Sequence, residues 1–268
     1  MVDNMARFAP VVPLPLARLL KERGILDNYH LLLAHDVLEH PSEYQRVYGH
    51  LATDPDATII MDNSLIELGY PLPIQEVINA CRILNASYAV LPDFLGDSKK
   101  TIERSVAAYK ELRDLDPDKT IKPLAVVQGS TIDQCLECLS GFMRAMPDLD
   151  CVSIPRIITK TIRTRVPLTY IATEMGLKVH LLGFSDNLAD DVAASLLSGV
   201  IGIDSAVPVR MALQQGDFLS LDYPVFAGPR EDYWSKDWDE LLKQSRYNSH
   251  IRLVEHNLKA IRRLISNA

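Results

Sequence analysis

The sequence predicts a single α/β domain built as a TIM-type (β/α)8 barrel, and three observations predict it. Short apolar, β-branched runs alternate with amphipathic stretches of helical length, the pattern of βα units around a parallel sheet. At 268 residues, 47% of them hydrophobic, the chain has the length and apolar content for one such barrel around one core. Several of the apolar runs end in a carboxylate or an amide, where barrel strands carry their chemistry.

Taken in order, strands are expected at Leu31–His35, Thr58–Asp62, Tyr88–Pro92, Leu124–Gln128, Asp150–Ile154, Val179–Gly183 and Val200–Asp204. Each is a short run dominated by Val, Ile, Leu or Ala and bounded by turn-forming or polar residues. Apolar periodicity predicts helices over Pro73–Leu84, Ser98–Leu112, Ile132–Ala145, Asn187–Ser198 and Val207–Gln215, with fainter patterns around 40–52 and 163–176. A closing helix starts at His250, where Ile251, Val254, Leu258, Ile261 and Ile265 recur at three- and four-residue spacing. Seven strands are visible, and Tyr223–Ala227 is the expected eighth. No internal repeat or linker interrupts the chain, so residues 1–268 read as one domain, with 216–249 an insertion packed against the barrel.

No run reaches the ~18–20 apolar residues that span a bilayer. Met1 to Pro15 lack the basic region and long apolar stretch of a signal peptide, so a cytoplasmic location is expected. A formal charge of −7 argues against a protein that coats nucleic acid nonspecifically. Two stretches are nevertheless locally basic: Arg156, Lys160, Arg163 and Arg165 in one acid-free segment, and Arg252, Lys259, Arg262 and Arg263 on the closing helix. Taken alone, each reads equally well as a solvated face. Cys135 and Cys138 share one face of a predicted helix and, with Cys81 and Cys151, read as buried reduced thiols rather than a metal or redox pair.

Four strand ends are polar: Asp62, Asp93, Gln128 and Asp204. Any one Asp could simply cap the helix that follows. Four such ends on one barrel face instead point to a site, and Asn63-Ser64 or Ser205 could do the capping beside Asp62 and Asp204. Crowded carboxylates cannot all ionise normally; one is pushed up and donates a proton while another stays charged. That division suits substitution at an anomeric carbon, which in its retaining form uses two carboxyls roughly 5 Å apart.

The same residues, in the same order, resemble the tRNA-guanine transglycosylase family. Asp62-Asn63-Ser64 resembles its Asp-Ser-Gly segment, which holds the acid/base aspartate. Asp93 with the following Glu103-Arg104-Ser105 resembles the base-recognising aspartate and its Glu-Arg-Ser helix. Val127-Gln128-Gly129-Ser130 matches the Gln-Gly element, and His180-Leu181-Leu182-Gly183-Phe184 resembles the Tyr-Leu-Met-Gly-Val strand. Gly202-Ile203-Asp204-Ser205-Ala206-Val207-Pro208-Val209-Arg210 resembles the segment bearing the nucleophile, and Glu255-His256-Asn257-Leu258-Lys259 the closing helix. Two departures stand out. The family's zinc-binding cysteine cluster is missing, so no metal, no cofactor and no C-terminal zinc subdomain are expected, and His256 is expected to be a packed or hydrogen-bonded helix residue. Its Gly-Gly-Leu-Ala is replaced by Ser153-Ile154-Pro155-Arg156.

The chain is most similar in this respect to the short, zinc-less phage and bacterial enzymes that place 7-deazaguanines into DNA, which for a phage protein means action in the host cytoplasm. The resemblance implies that Asp204 is the nucleophile and Asp62 the acid/base, with Asp93, Gln128, Asn63, Ser153, Ile154, Gly183 and Phe94 around the base. It also implies that Arg156, Lys160, Arg163, Arg165 and Arg210 hold phosphates, although Arg210 equally suits pairing with a site carboxylate. DNA is favoured over tRNA as the polymer, with 7-cyano-7-deazaguanine the incoming base. Three rivals remain: a tRNA enzyme, a base-releasing N-glycosidase with the same carboxylates, and a non-catalytic nucleic-acid-binding subunit. Phe94 and Phe184 are either stacking groups or core packing, and Tyr233, Trp234 and Trp238 are open in the same way. Oligomeric state is not legible.

Overall fold

Strands that are apolar on both faces need cover on both sides, and here a ring of helices encloses a ring of strands. The computed structural model describes residues 5–215, 240 and 245–266. The strands are β1 (Arg7–Pro10), β2 (Tyr29–Leu33), β3 (Thr58–Asp62), β4 (Tyr88–Val90), β5 (Lys122–Val126), β6 (Cys151–Pro155), β7 (Lys178–Leu182) and β8 (Val200–Ser205). From β2 to β8 each pairs in parallel with its neighbour in sequence, and β1 pairs with β8, Phe8 opposite Ile203 and Ala9 opposite Asp204. Because β1 also packs beside β2, the sheet nearly closes into an α/β barrel.

Among the described residues the strand that the sequence reading did not include is the N-terminal β1. The stretch Tyr223–Ala227 lies outside the described residues, as do most of 216–249 and Tyr233, Trp234 and Trp238. Strand β1 is four residues long and ends at Pro10, with Pro13 and Pro15 just beyond, so its local chemistry reads as a loop. Pairing with β8 makes it a strand. The expected Leu31–His35 strand instead spans Tyr29–Leu33, because Ala34 and His35 already begin a helix.

Around the strands lie α1 (Leu14–Glu22), α2 (Ala34–Glu39), α3 (Pro41–Tyr48), α4 (Leu65–Leu68), α5 (Ile74–Leu84), α6 (Ser98–Leu115) and α7 (Ile132–Ala145). They are followed by α8 (Thr159–Ile162), α9 (Val166–Glu174), α10 (Leu188–Ser195), α11 (Val207–Arg210) with a π-helical turn over Met211–Gln215, and α12 (Ser245–Ser266). The inner core stacks Ala9, Tyr29, Leu31, Leu33, Ile60, Tyr88, Val90, Leu124, Val126, Cys151 and Ile201, while the larger outer core lies between strands and helices. Helix α12 docks through Ile251, Val254, Leu258, Ile261 and Ile265, all buried, and through Asn257, whose amide donates to the Pro208 carbonyl at 3.0 Å. All four cysteines are buried and free. Burial pushes the Cys135 and Cys138 thiols up to about 11 and about 12, which keeps them protonated. Among the described residues no helix is long and apolar enough to cross a membrane, and no cluster of His, Cys, Asp or Glu is placed to hold a metal.

The caps decide what the strand-end acids are for. Helix α6 is capped by Asp97, α7 by Thr131 and α10 by Asn187, each side chain accepting from a backbone N–H in the first turn. The residue before α4 is Ser64 and before α11 is Ala206. Asp62, Asp93, Gln128 and Asp204 cap none of these helices.

Candidate active site

Side chains two apart on a strand share a face, so Asp62 points inward like Ile60, and Gln128 continues the inward parity of Leu124 and Val126. At the C-terminal ends of the strands the inward residues change from apolar to polar, and a pocket of about 210 Å³ opens there. Its lining brings together Asp62, Asn63, Glu67, Asp93, Gln128, Arg156, Gly183, Asp204 and Arg210, over an apolar floor that includes Leu31, Val90 and Val126.

Asp93 is braced on both of its oxygens. Gln128 Nε2 donates to Oδ2 at 2.7 Å and Asn63 Nδ2 to Oδ1 at 3.2 Å, while Asn63 also reaches the Leu91 carbonyl at 3.0 Å. Gln128 is itself fixed by the Gly96 N–H, 3.1 Å from Oε1. Behind Asp93, Thr101 and Ser105 of α6 pin the backbone of Phe94 and Pro92. Burial raises the Asp93 carboxyl, against the lowering pull of the Gln128 and Asn63 amides. The two amides and the Asp93 carboxyl form one polar edge at the cavity.

Asp62 has a different environment. Burial first, then the neighbouring charges of Glu67, Asp204 and Asp93, push its carboxyl up to about 8, with one opposing hydrogen bond from the Ser64 N–H at 2.8 Å. At neutral pH it carries a proton. Ser64 adopts a left-handed conformation with φ 61°, and its hydroxyl lies 2.7 Å from His35 Nδ1. That turn lets the backbone fold back to reach the Asp62 oxygen.

Asp204 receives two donors on a single oxygen. His180 Nε2 lies 3.0 Å from Oδ1 and the Gly183 N–H 2.9 Å from the same atom. Gly183 has φ 74°, and a Cβ there would sit 3.1 Å from Arg156 Cδ, so glycine both permits the turn and lets Arg156 lie across it. No family model matches the chain, and no curated protein matches it in sequence. What the site can do therefore rests on its geometry: an anchored carboxylate, a carboxyl raised to about 8 and a carboxyl paired with two amides, all around one cavity.

The structure corrects several sequence expectations about this site. Ser153 and Ile154 do not line the pocket: both are fully buried in β6, and the Ser153 hydroxyl donates to the His180 carbonyl at 3.1 Å. Pro155, Arg156 and Ile157 stand at the cavity in their place. Phe94 is also absent from the lining. It lies beneath Lys100 and Arg104, whose cationic groups sit 4.4 and 4.9 Å from its ring centre, and exposed Leu95 takes the pocket position. Phe184 is buried against Phe8, ring centres 5.6 Å apart, and also lines the cavity. His256 is exposed on α12, whereas its neighbour Asn257 is buried.

Of the five proposed phosphate-binding cations, Arg156 and Arg210 line the pocket, and Lys160 and Arg163 are exposed nearby in sequence. Arg165 is 0% exposed and cannot meet a phosphate. It pairs with Asp191 and donates to the Ile154 carbonyl at 3.1 Å, while Asp191 accepts the Ser185 N–H at 2.7 Å and hydroxyl at 2.9 Å. This buried network ties the loop after β7 to the start of α9, just behind Gly183. Removing one partner leaves the other charge uncompensated, so Arg165→Met is expected to lower stability by about 3–5 kcal/mol in denaturant unfolding. A change below about 1 kcal/mol would show that the pair carries little of the loop's stability.

Sequence reasoning missed Tyr29, His180 and Glu67 as site residues. His180 did leave a signal, a polar residue inside the apolar run Val179-His180-Leu181-Leu182. Tyr29 left none, because a buried Tyr on a strand looks like core packing.

Proposed function

We propose that the protein is a base-exchange transglycosylase, replacing guanine in DNA with a 7-deazaguanine through a covalent glycosyl intermediate on Asp204. The observation that carries this reading is the division of labour among three buried carboxylates at one pocket: Asp204 held by two N–H donors, Asp62 protonated up to about pH 8, and Asp93 paired with two amides. The ordered resemblance of the same residues to the guanine transglycosylases is in keeping with it.

In this mechanism Asp204 attacks C1′ of the target nucleotide, the C1′–N9 bond breaks, and its electron pair leaves with guanine. Asp62 gives its proton to the departing base. Asp62, now a carboxylate, then takes the N9 proton of the incoming 7-deazaguanine, which attacks C1′ on the face the guanine left and frees Asp204. Asp93 accepts from guanine N1–H and the exocyclic amine; each of its oxygens has a second lone pair beyond the one its amide partner occupies. The nucleotide must leave the stack to enter a pocket this narrow. Arg156 and Arg210 at the rim supply the cations for its flanking phosphates.

The deciding experiment offers labelled guanine or 7-cyano-7-deazaguanine with duplex DNA, single-stranded DNA and tRNA. Incorporation into DNA alone supports the reading; incorporation into tRNA keeps the chemistry and changes the polymer. Guanine release without incorporation makes the protein a base-releasing hydrolase, and inertness towards all of them removes the reading. Asp93→Asn replaces one acceptor with a donor that faces the guanine amine. Its kcat/KM for base exchange is expected to fall by about 10³-fold or more. A loss under tenfold would mean that another group reads the base.

A further inference from the structure

Asp204 is anchored from below by a chain of buried groups that reaches across the barrel. Tyr29 on β2 is fully buried, and its hydroxyl lies 2.7 Å from His180 Nδ1; His180 Nε2 lies 3.0 Å from Asp204 Oδ1. The Tyr29 ring is tilted 49° to the imidazole, with Arg7 Cζ 4.5 Å from the centre of its ring. Gly202 makes the approach possible: a Cβ there would sit 2.4 Å from Tyr29 Cε1 and 2.5 Å from the Arg7 carbonyl oxygen. No side chain at 202 fits while Tyr29 reaches His180.

The hydrogen-bond roles follow from the chemistry. An imidazole nitrogen facing a carboxylate must carry the proton, so Nε2–H donates to Asp204. The Tyr29 O–H donates to the other ring nitrogen, Nδ1. Burial raises the Tyr29 phenol well above its ordinary value, which keeps that proton in place. Both donors on Asp204, His180 Nε2–H and Gly183 N–H, go to Oδ1, and no described residue donates to Oδ2.

We propose that Tyr29 and His180 position Asp204, fixing Oδ1 as the bound oxygen and Oδ2 as the one that attacks C1′. This rests on the transglycosylase reading above and deepens it. In the first half-reaction an Oδ2 lone pair forms the bond to C1′ as the C1′–N9 pair departs with the base, whose proton comes from Asp62. No proton travels along the Tyr29–His180 pair. In the second half-reaction the C1′–Oδ2 bond breaks and its electrons return to Asp204, and the two donors on Oδ1 stabilise the carboxylate as it leaves. Both residues are positioning residues and touch no substrate.

The consequence is a specific partition. A site without the Nε2–H loses stabilisation of the leaving carboxylate, so its ester is slow to resolve. His180→Phe is expected to lower turnover about 100-fold, leave KM for the incoming base within about threefold, and raise the fraction of enzyme trapped as the covalent adduct on rapid denaturation. His180→Gln, whose amide N–H can occupy the place of Nε2–H, is expected to recover most of the turnover. Tyr29→Phe, which removes one oxygen, should slow turnover about tenfold.

Turnover in His180→Phe and Tyr29→Phe within threefold of wild type overturns the proposal. So does a His180→Gln variant that loses as much as His180→Phe while both melt like wild type. If His180→Phe does not fold, Tyr29→Phe and His180→Gln decide the matter by the same limits. A wild-type enzyme that forms no adduct with DNA or RNA overturns the transglycosylase reading itself, and the positioning role with it. Normal wild-type adduct with unaffected variants overturns the positioning role alone.

Discussion

Asp204→Asn is expected to abolish base exchange, lowering the single-turnover rate by about 10⁴-fold or more and eliminating the covalent adduct. The substitution keeps volume and shape, and an amide oxygen can still accept from His180 Nε2–H and the Gly183 N–H, which now meet at Oδ1. The barrel around it is unaffected: Asp204 pairs across β1 at Ala9, and that register depends on backbone groups. What the change removes is the anionic oxygen that attacks C1′. The measurement is labelled-base incorporation under single turnover beside a melting curve, with Tm expected within about 3 °C of wild type. Activity retained within tenfold in a folded variant would exclude Asp204 as the nucleophile.

The barrel was legible because its strands are largely buried and carry short continuous apolar runs, as at Ile59–Met61 and Val200–Ile203. Strand β1 was not, because a four-residue segment that ends in a proline, with two more just beyond, carries no periodicity of its own and gains its identity from pairing with β8. The site was legible where a strand's apolar run stops at a charge, since burial forces such a residue to have a chemical or structural partner. That rule found Asp62, Asp93, Gln128 and Asp204, and the structure brings all four to one cavity.

A different signal, local basic charge, misled at Arg165. A basic stretch looks alike in sequence whether a cation faces solvent or an internal carboxylate, and Asp191, its partner, lies far along the chain in α10. Phe94 failed for a related reason: strand-end position does not specify side-chain direction, and α6 offered it two cations to lie beneath. Tyr29 and His180 show the opposite case. Their contribution depends on a cross-barrel approach that a single glycine, Gly202, makes possible, and no local pattern encodes a contact between residues 151 positions apart.

Asp62→Asn should separate activity from stability. In the folded protein the Asp62 carboxyl is raised from its ordinary 3.8 to about 8, chiefly by burial and then by Glu67. Between those pH values the folded state holds a proton that the unfolded chain has released. Stability therefore falls as pH rises from about 4 to about 8, and the contribution is complete only below the unfolded value. Asparagine has no such proton to lose, and its side-chain oxygen can still accept from the Ser64 N–H. The variant is expected to gain on wild type by on the order of 1–3 kcal/mol between pH 5 and pH 8, read as a Tm difference that widens with pH. Its base-exchange rate should fall about 10²–10⁴-fold, since the amide neither protonates the departing guanine nor deprotonates its replacement. Wild-type exchange should decline above about pH 8 as Asp62 loses its proton, and the residual activity of the variant should lack that limb. A variant that is less stable at pH 8, or one that keeps the alkaline decline, would mean that the proton belongs to another group. The carboxyl is thus held in a state that costs the fold stability at neutral pH, which is what a resident proton donor requires.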